Sequence, residues 1–209
     1  LKQGVTVGET KKSSIQITKV HAADINDPLN LHLNLINYFK EKYGNCLMLG
    51  SLVKQKHRGE FSIFGVPDEK SSNIYFYDIN EKSINKNSWR KNMSNSERIM
   101  DNQNRSDYYK FIEEKMIQWK HNLTIDQKFI EDFEYLPFVG GFLGILNYEM
   151  GDDVPEFSTL DKYENNINAI FAEVKHSIVW DHFADDFYFI DIHENPMDIL
   201  WTKENTAFV

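Results

Sequence analysis

The sequence predicts an α+β chain: two packed, mainly antiparallel sheets with flanking helices. Three observations lead there. Short β-prone runs come in groups, joined by short polar segments; helix-length periodic stretches stand between the groups; and the regular strand–helix–strand alternation of a parallel sheet is missing. With 41% hydrophobic and 14% aromatic residues among 209, the chain has enough apolar surface for a substantial core, which favours order over disorder.

The elements follow in order. Residues 1–13 are polar with two glycines and read as a linker or lead-in, so the domain proper spans 14–209. "SIQITKV" (Ser14–Val20) alternates Ile15 and Ile17, a short strand. In "DPLNLHLNLINYFKEKYG" the leucines alternate as in a strand, but Leu31, Leu35, Tyr38 and Phe39 follow a helical face. Pro28 at the start, Lys40 and Lys42 near the end and Gly44 just beyond decide for a helix. Asn45–Leu52, Gly59–Pro67 and Asn73–Asn80 are strand-like runs whose short joins imply an antiparallel meander. Glu81–Arg105 is rich in Asn, Ser and Lys without periodicity, hence a loop insertion over 81–105.

"SDYYKFIEEKMIQWKHN" is expected to be a helix capped by Ser106, with Tyr108, Ile112, Met116 and Trp119 as its core stripe. Pro137–Met150 is expected to be a central strand whose glycines admit a close neighbour. After a loop over Asp152–Asn166, Ala169–His182 and Asp186–His193 form a hairpin turning at Ala184 and Asp185.

Charge narrows the function. A net charge of −9 works against nucleic acid, and the basic clusters Lys54–Arg58 and Trp89–Lys91 lie in polar stretches that read as solvated loops. Cys46 is the only cysteine, so no intrachain disulfide forms and a reducing compartment is expected. No apolar run approaches the ~20 residues of a membrane span, and no signal-peptide core stands at the start. A soluble, cytoplasmic protein without membrane or nucleic-acid partners is the expectation. Leu1 and the closing "TKENTAFV" read as cuts in a longer polypeptide.

The residues alone assign no chemistry. No phosphate-cradling GxxxxGK appears, and Gly140, Gly141 and Gly144 have the wrong spacing for a dinucleotide turn. One cysteine and scattered histidines make no zinc set. His176 and His182 would share a strand face, with Asp181 opposite, and read as surface or edge residues. Asp185, Asp186, Asp191 and Glu194 read as solvated strand ends, and no nucleophile stands beside an orienting base.

Motifs say more. "PFVGGFLGILNYEMG" resembles a segment, P-F-x-G-G-x-x-G-x-x-x-Y-D/E-x-G, of the chorismate-utilising enzymes of the anthranilate synthase large subunit and aminodeoxychorismate synthase family. Pro137, Phe138, Gly140, Gly141, Gly144, Tyr148, Glu149 and Gly151 match it. "CLMLGSLVKQKHRGEFSIFG" resembles the family's strand–loop–strand at Leu49, Ser51, Gly59, Phe61, Ser62 and Gly65. The late hairpin is matched by Ser177, Val179, Asp181 and His182. Together the segments cover roughly residues 14 to 195 and imply an N-terminal, non-catalytic domain whose motif residues are structural.

The motifs of the family's catalytic half, R-S-P-E and G-T-x-x-R-G, are missing, as is the glutaminase cysteine motif. The resemblance therefore implies that chorismate and Mg2+ belong to a separate C-terminal domain, that this fragment alone is inactive and holds no metal, and that a glutaminase domain or subunit is a partner. Gly50 stands where anthranilate synthases carry the Glu of L-L-E-S. Losing that carboxylate removes a charge-assisted partner for an inhibitor's ammonium, worth about 1.5–3 kcal/mol. This favours the aminodeoxychorismate branch over the anthranilate branch, in a fungal, bifunctional form; a free-standing amino-acid-sensing module is the alternative of a different class. The resemblance also implies half of a tryptophan-like pocket. Ser51 would offer its hydroxyl and Phe61 an apolar wall, with Arg58, Gly59 and Glu60 between them; Glu60 departs from the family's usual Arg.

Overall fold

The computed structural model describes residues 13–21, 34, 37, 41, 47–50, 59–66, 72–88, 96–125, 131–147, 150 and 167–194. In chain order they form β1 (Ser13–His21), β2 (Leu47–Leu49), β3 (Phe61–Val66), β4 (Asn73–Asp78), β5 (Ser83–Ser88), β6 (Glu97–Met100), helix α1 (Arg105–Asn122), β7 (Leu123–Thr124), β8 (Gly141–Leu146), β9 (Ile167–Val174), β10 (His176–Asp181) and β11 (Asp186–His193). A six-stranded sheet runs β2-β3-β10-β11-β1-β7 and a five-stranded sheet runs β6-β5-β4-β9-β8. Every pairing is antiparallel except β1 with β7. The α+β class with two mainly antiparallel sheets is as the sequence predicts. Of the helix expected over 28–44, Asn34, Asn37 and Glu41 are described and helical; the rest lies outside the described residues, as do the lead-in 1–12, Cys46 and the loop over 152–166.

In the six-stranded sheet, β10 and β11 are central and buried on both faces, which is why "IVW" and "FYFI" are unbroken apolar runs rather than alternating ones. One face carries Val179, Tyr188 and Ile190 under Phe133, Leu136 and Val139. Two of the buried polar side chains of these strands pair with each other: His176 Nδ1 lies 2.7 Å from Asp191 Oδ1. The expected surface position of His176 and His182, and the solvated ends assigned to Asp186 and Asp191, are thus corrected. All four are buried, because both faces of these central strands are covered.

The five-stranded sheet carries α1 on one face. Tyr108, Phe111 and Ile112 pack against Tyr75, Tyr77, Ile84, Ala169 and Met150, and the Tyr108 hydroxyl donates to the Tyr75 carbonyl at 3.0 Å. The helix starts two residues earlier than expected. Asn104, not Ser106, is the N-cap, its side chain accepting from the Asp107 N–H while Asp107 reaches back to the Asn104 N–H, a reciprocal capping box. Met116 is 50% exposed, so the anticipated core stripe is buried only in its first half.

Three further expectations are corrected. β4 does not continue a meander from β3; it sits in the other sheet between β5 and β9. The segment 81–105 is not a loop but holds β5, β6 and the start of α1. Strand β5, "SINKNS", escapes notice because its buried residues are mostly polar; Asn85 donates to Ser83 Oγ at 2.9 Å. The tight turn before it is held by Asp78 Oδ1, which accepts the Asn80 and Glu81 N–H groups.

β8, expected to be a central strand, is an edge strand among the described residues, paired with β9 alone. Its glycines do make close approaches. A Cβ on Gly144 would strike the Ile170 carbonyl oxygen and the Phe171 ring, and one on Gly140, at φ +132°, would strike Ile192 Cδ1. Gly65 serves the contact between sheets: a Cβ there would stand 2.9 Å from both Leu143 Cδ1 and Val174 Cγ2. The chain passes from β9 in one sheet to β10 in the other at Lys175, whose carbonyl accepts the Ile192 N–H at 2.8 Å.

Candidate functional site

Gly59, Phe61 and Ser62 of the second motif meet Asp181 and His182 of the third at one end of the six-stranded sheet. Antiparallel register sets Phe61 opposite Asp181 and Ser62 opposite Trp180, and the His182 N–H extends the ladder to the Glu60 carbonyl at 2.9 Å. Gly59 enters this rung at φ +74°, a conformation that favours glycine. Of the tryptophan-like pocket, Gly59, Glu60 and Phe61 are therefore brought beside Asp181 and His182. Ser51 and Arg58 lie outside the described residues.

Each motif side chain here has an identifiable task. Asp181 Oδ1 accepts the N–H groups of Phe183 and Ala184, both at 2.9 Å, and so fixes the turn between β10 and β11, where Asp185 takes φ +57°. His182 Nε2 hydrogen-bonds Ser62 Oγ at 2.8 Å, with both residues buried. Its ring lies 4.2 Å from that of Trp180, which in turn stacks on Phe187 at 4.9 Å. Phe61 packs on the cluster of Leu136, Val179, Tyr188 and Ile190, a core wall. Ser62 is wholly buried, so a substrate cannot reach its Oγ: the serine–histidine pair ties β3 to the hairpin.

On the face shared with Phe61, β1 lies against β11 and sets His21 opposite Asp186 and Lys19 opposite Tyr188. Lys19 Nζ lies 2.7 Å from Asp186 Oδ2 and His21 Nδ1 2.8 Å from Oδ1. Burial pushes the Asp186 carboxyl up, but hydrogen bonds from Lys19 and His21 outweigh it and hold the group below the usual carboxylate value. The hydrogen bond to Asp186 raises Lys19 in return. Lys19 also sits 5.5 Å over the Tyr188 ring, and the Tyr135 hydroxyl donates to the Tyr188 hydroxyl at 2.7 Å. Burial raises the Tyr188 phenol. The sequence reading missed this network; the signal was an acid and a base facing each other across an antiparallel rung, visible only once β1 is paired with β11.

The Gly-rich motif lies away from this end. Pro137 is exposed and Phe138 half-buried, while Gly140, Gly141 and Gly144 line the approach to and body of β8; Tyr148, Glu149 and Gly151 lie outside the described residues. Among the described residues no three His, Cys, Asp or Glu side chains are grouped as an ion would require, and no helix is long and apolar enough to cross a membrane. No protein-family model matches the chain, and no curated protein matches it.

Proposed function

We propose that the chain is the N-terminal, non-catalytic domain of an aminodeoxychorismate synthase, which converts chorismate and glutamine-derived ammonia to 4-amino-4-deoxychorismate for para-aminobenzoate and folate synthesis. The observation that carries the reading is the Pro137–Gly151 motif, with eight family residues in register. Three of its glycines, together with Gly65 from the second motif, stand where a side chain would meet a neighbour or strain the backbone, which supports a structural role for the motifs. Asp181 and His182, from the third motif, fix a turn and tie it to Ser62.

In this reading the domain scaffolds chemistry done elsewhere. Chorismate and Mg2+ belong to a C-terminal domain outside this sequence, and a glutaminase supplies ammonia. Gly50, lacking the carboxylate that anthranilate synthases place there, favours the aminodeoxychorismate branch. Ser51, Arg58, Gly59, Glu60 and Phe61 form half of a tryptophan-like pocket completed by the missing domain.

Calorimetric titration tests the reading. Chorismate with Mg2+ should give no micromolar binding to this chain and no turnover, while the chain joined to its chorismate-binding domain should bind and turn over. Micromolar binding by the chain alone overturns it.

A further inference from the structure

A cavity of about 200 Å3 opens at the other end of the molecule, where α1 ends and the chain crosses between sheets. Tyr75, Trp119 and Phe142 give it aromatic walls; Lys115, Lys175 and Glu173 give it charge, with Glu194 at the rim. The motif glycines shape this place. A Cβ on Gly141, at φ +123°, would stand 3.9 Å from the Trp119 ring, and a side chain on Gly140 would displace Ile192 from the cavity wall.

The charges of the lining do not neutralise one another. Among the described residues no ion pair joins either lysine to either glutamate. Lys115 has a 3.5 Å contact with Gln118 and lies over the Phe111 ring at 5.4 Å. Glu173 Oε2 accepts from the Asn73 side-chain amide at 3.2 Å. Opposite charges that border one partly apolar cavity without pairing are arranged to receive a molecule carrying both signs. Size sets the rest. A cavity of about 150 Å3 takes benzene, so this one fits a single ring with a short polar arm.

We propose that this cavity is a binding site for a small ring-bearing zwitterion, its carboxylate toward Lys115 and Lys175, its ammonium toward Glu173 and its ring against Trp119 and Phe142. The site is independent of the tryptophan-like pocket. In the β3–β10 register, Val66 and His176 mark the cavity end and Phe61 and Asp181 the pocket end.

L-phenylalanine, benzoate and 2-phenylethylamine titrated calorimetrically into the full chain test this. Phenylalanine should bind saturably at millimolar concentration or below, and each singly charged analogue at least about tenfold more weakly, the loss of one charge-assisted partner. Lys175→Gln and Glu173→Gln, the latter keeping an acceptor for Asn73, should each weaken phenylalanine by a similar factor; if Lys175→Gln does not fold, Lys115→Gln carries the same test. Ser51→Ala, in the other pocket, should leave the phenylalanine affinity of this cavity unchanged. No saturable binding, equal binding of an analogue, wild-type affinity in the charge variants, or loss in Ser51→Ala alone overturns the proposal. None of these outcomes bears on chorismate binding, so this site and the domain assignment fail separately.

Discussion

Replacing Gly144 by alanine examines why the motif needs glycine. In β8, Gly144 faces Phe171 of β9, and an added Cβ would run into the Ile170 carbonyl oxygen and stand 2.6 and 2.8 Å from atoms of the Phe171 ring. Neither obstacle is the free end of a flexible chain, so the strand must move. Overpacking of this kind costs about 1–3 kcal/mol, and the rigid obstacle places this case at the upper end. The stiffer unfolded chain returns about 0.4–1 kcal/mol, leaving a net loss of about 2 kcal/mol. At about 2–4 °C per kcal/mol for a chain of this size, the midpoint falls by about 4–8 °C. Urea unfolding, with an unchanged slope and a lowered midpoint, measures it. Gly141→Ala is the contrasting control: its space is open beyond Trp119 at 3.9 Å, so only the positive φ is penalised, by about 1–3 kcal/mol. A Gly144→Ala stability within about 0.5 kcal/mol of the parent would refute the seating of β8 on β9.

Other substitutions probe the sheet end and the helix. Asp186→Asn should cost about 1 kcal/mol at neutral pH, a charge-assisted loss discounted because Lys19 and His21 are half exposed. Since the Asp186 carboxyl is held low, its contribution is present above the ordinary value near pH 4 and fades as pH falls through the lowered one. Parent and variant stabilities should therefore converge in acid, and parallel curves would count against the network. Ser62→Ala leaves the buried His182 without its hydroxyl partner and should lower stability by about 1–3 kcal/mol in thermal unfolding; a neutral result removes the tie between β3 and the hairpin. Asn104→Ala breaks the capping box and should cost about 0.5–2 kcal/mol, with Ser106→Ala near neutral; the reverse order would move the helix start.

What was legible in the sequence follows the range of the forces involved. β1 and β11 were readable because alternation, or an unbroken apolar run ended by polar residues, is local. β5 was not, because its buried serines and asparagines look like a loop until their partners are known. Ala169–His182 is one β-prone run in sequence but two strands in space, since the crossing at Lys175 is decided by which sheet each half can cover. The glycines of β8 announced a close approach, but not that the neighbour is the backbone of β9 or that the strand is an edge. At the candidate site, Asp181 and His182 were found through motif resemblance, while the bond from His182 to Ser62, 120 residues away, is beyond any reading of spacing.

The central proposal, that this chain is one part of a chorismate-utilising enzyme, is tested most directly by sequencing the full-length transcript that encodes it. The account predicts an open reading frame that continues past Val209 into a chorismate-binding domain carrying the R-S-P-E and G-T-x-x-R-G motifs. A stop codon shortly after Val209, with no such domain encoded, would contradict it.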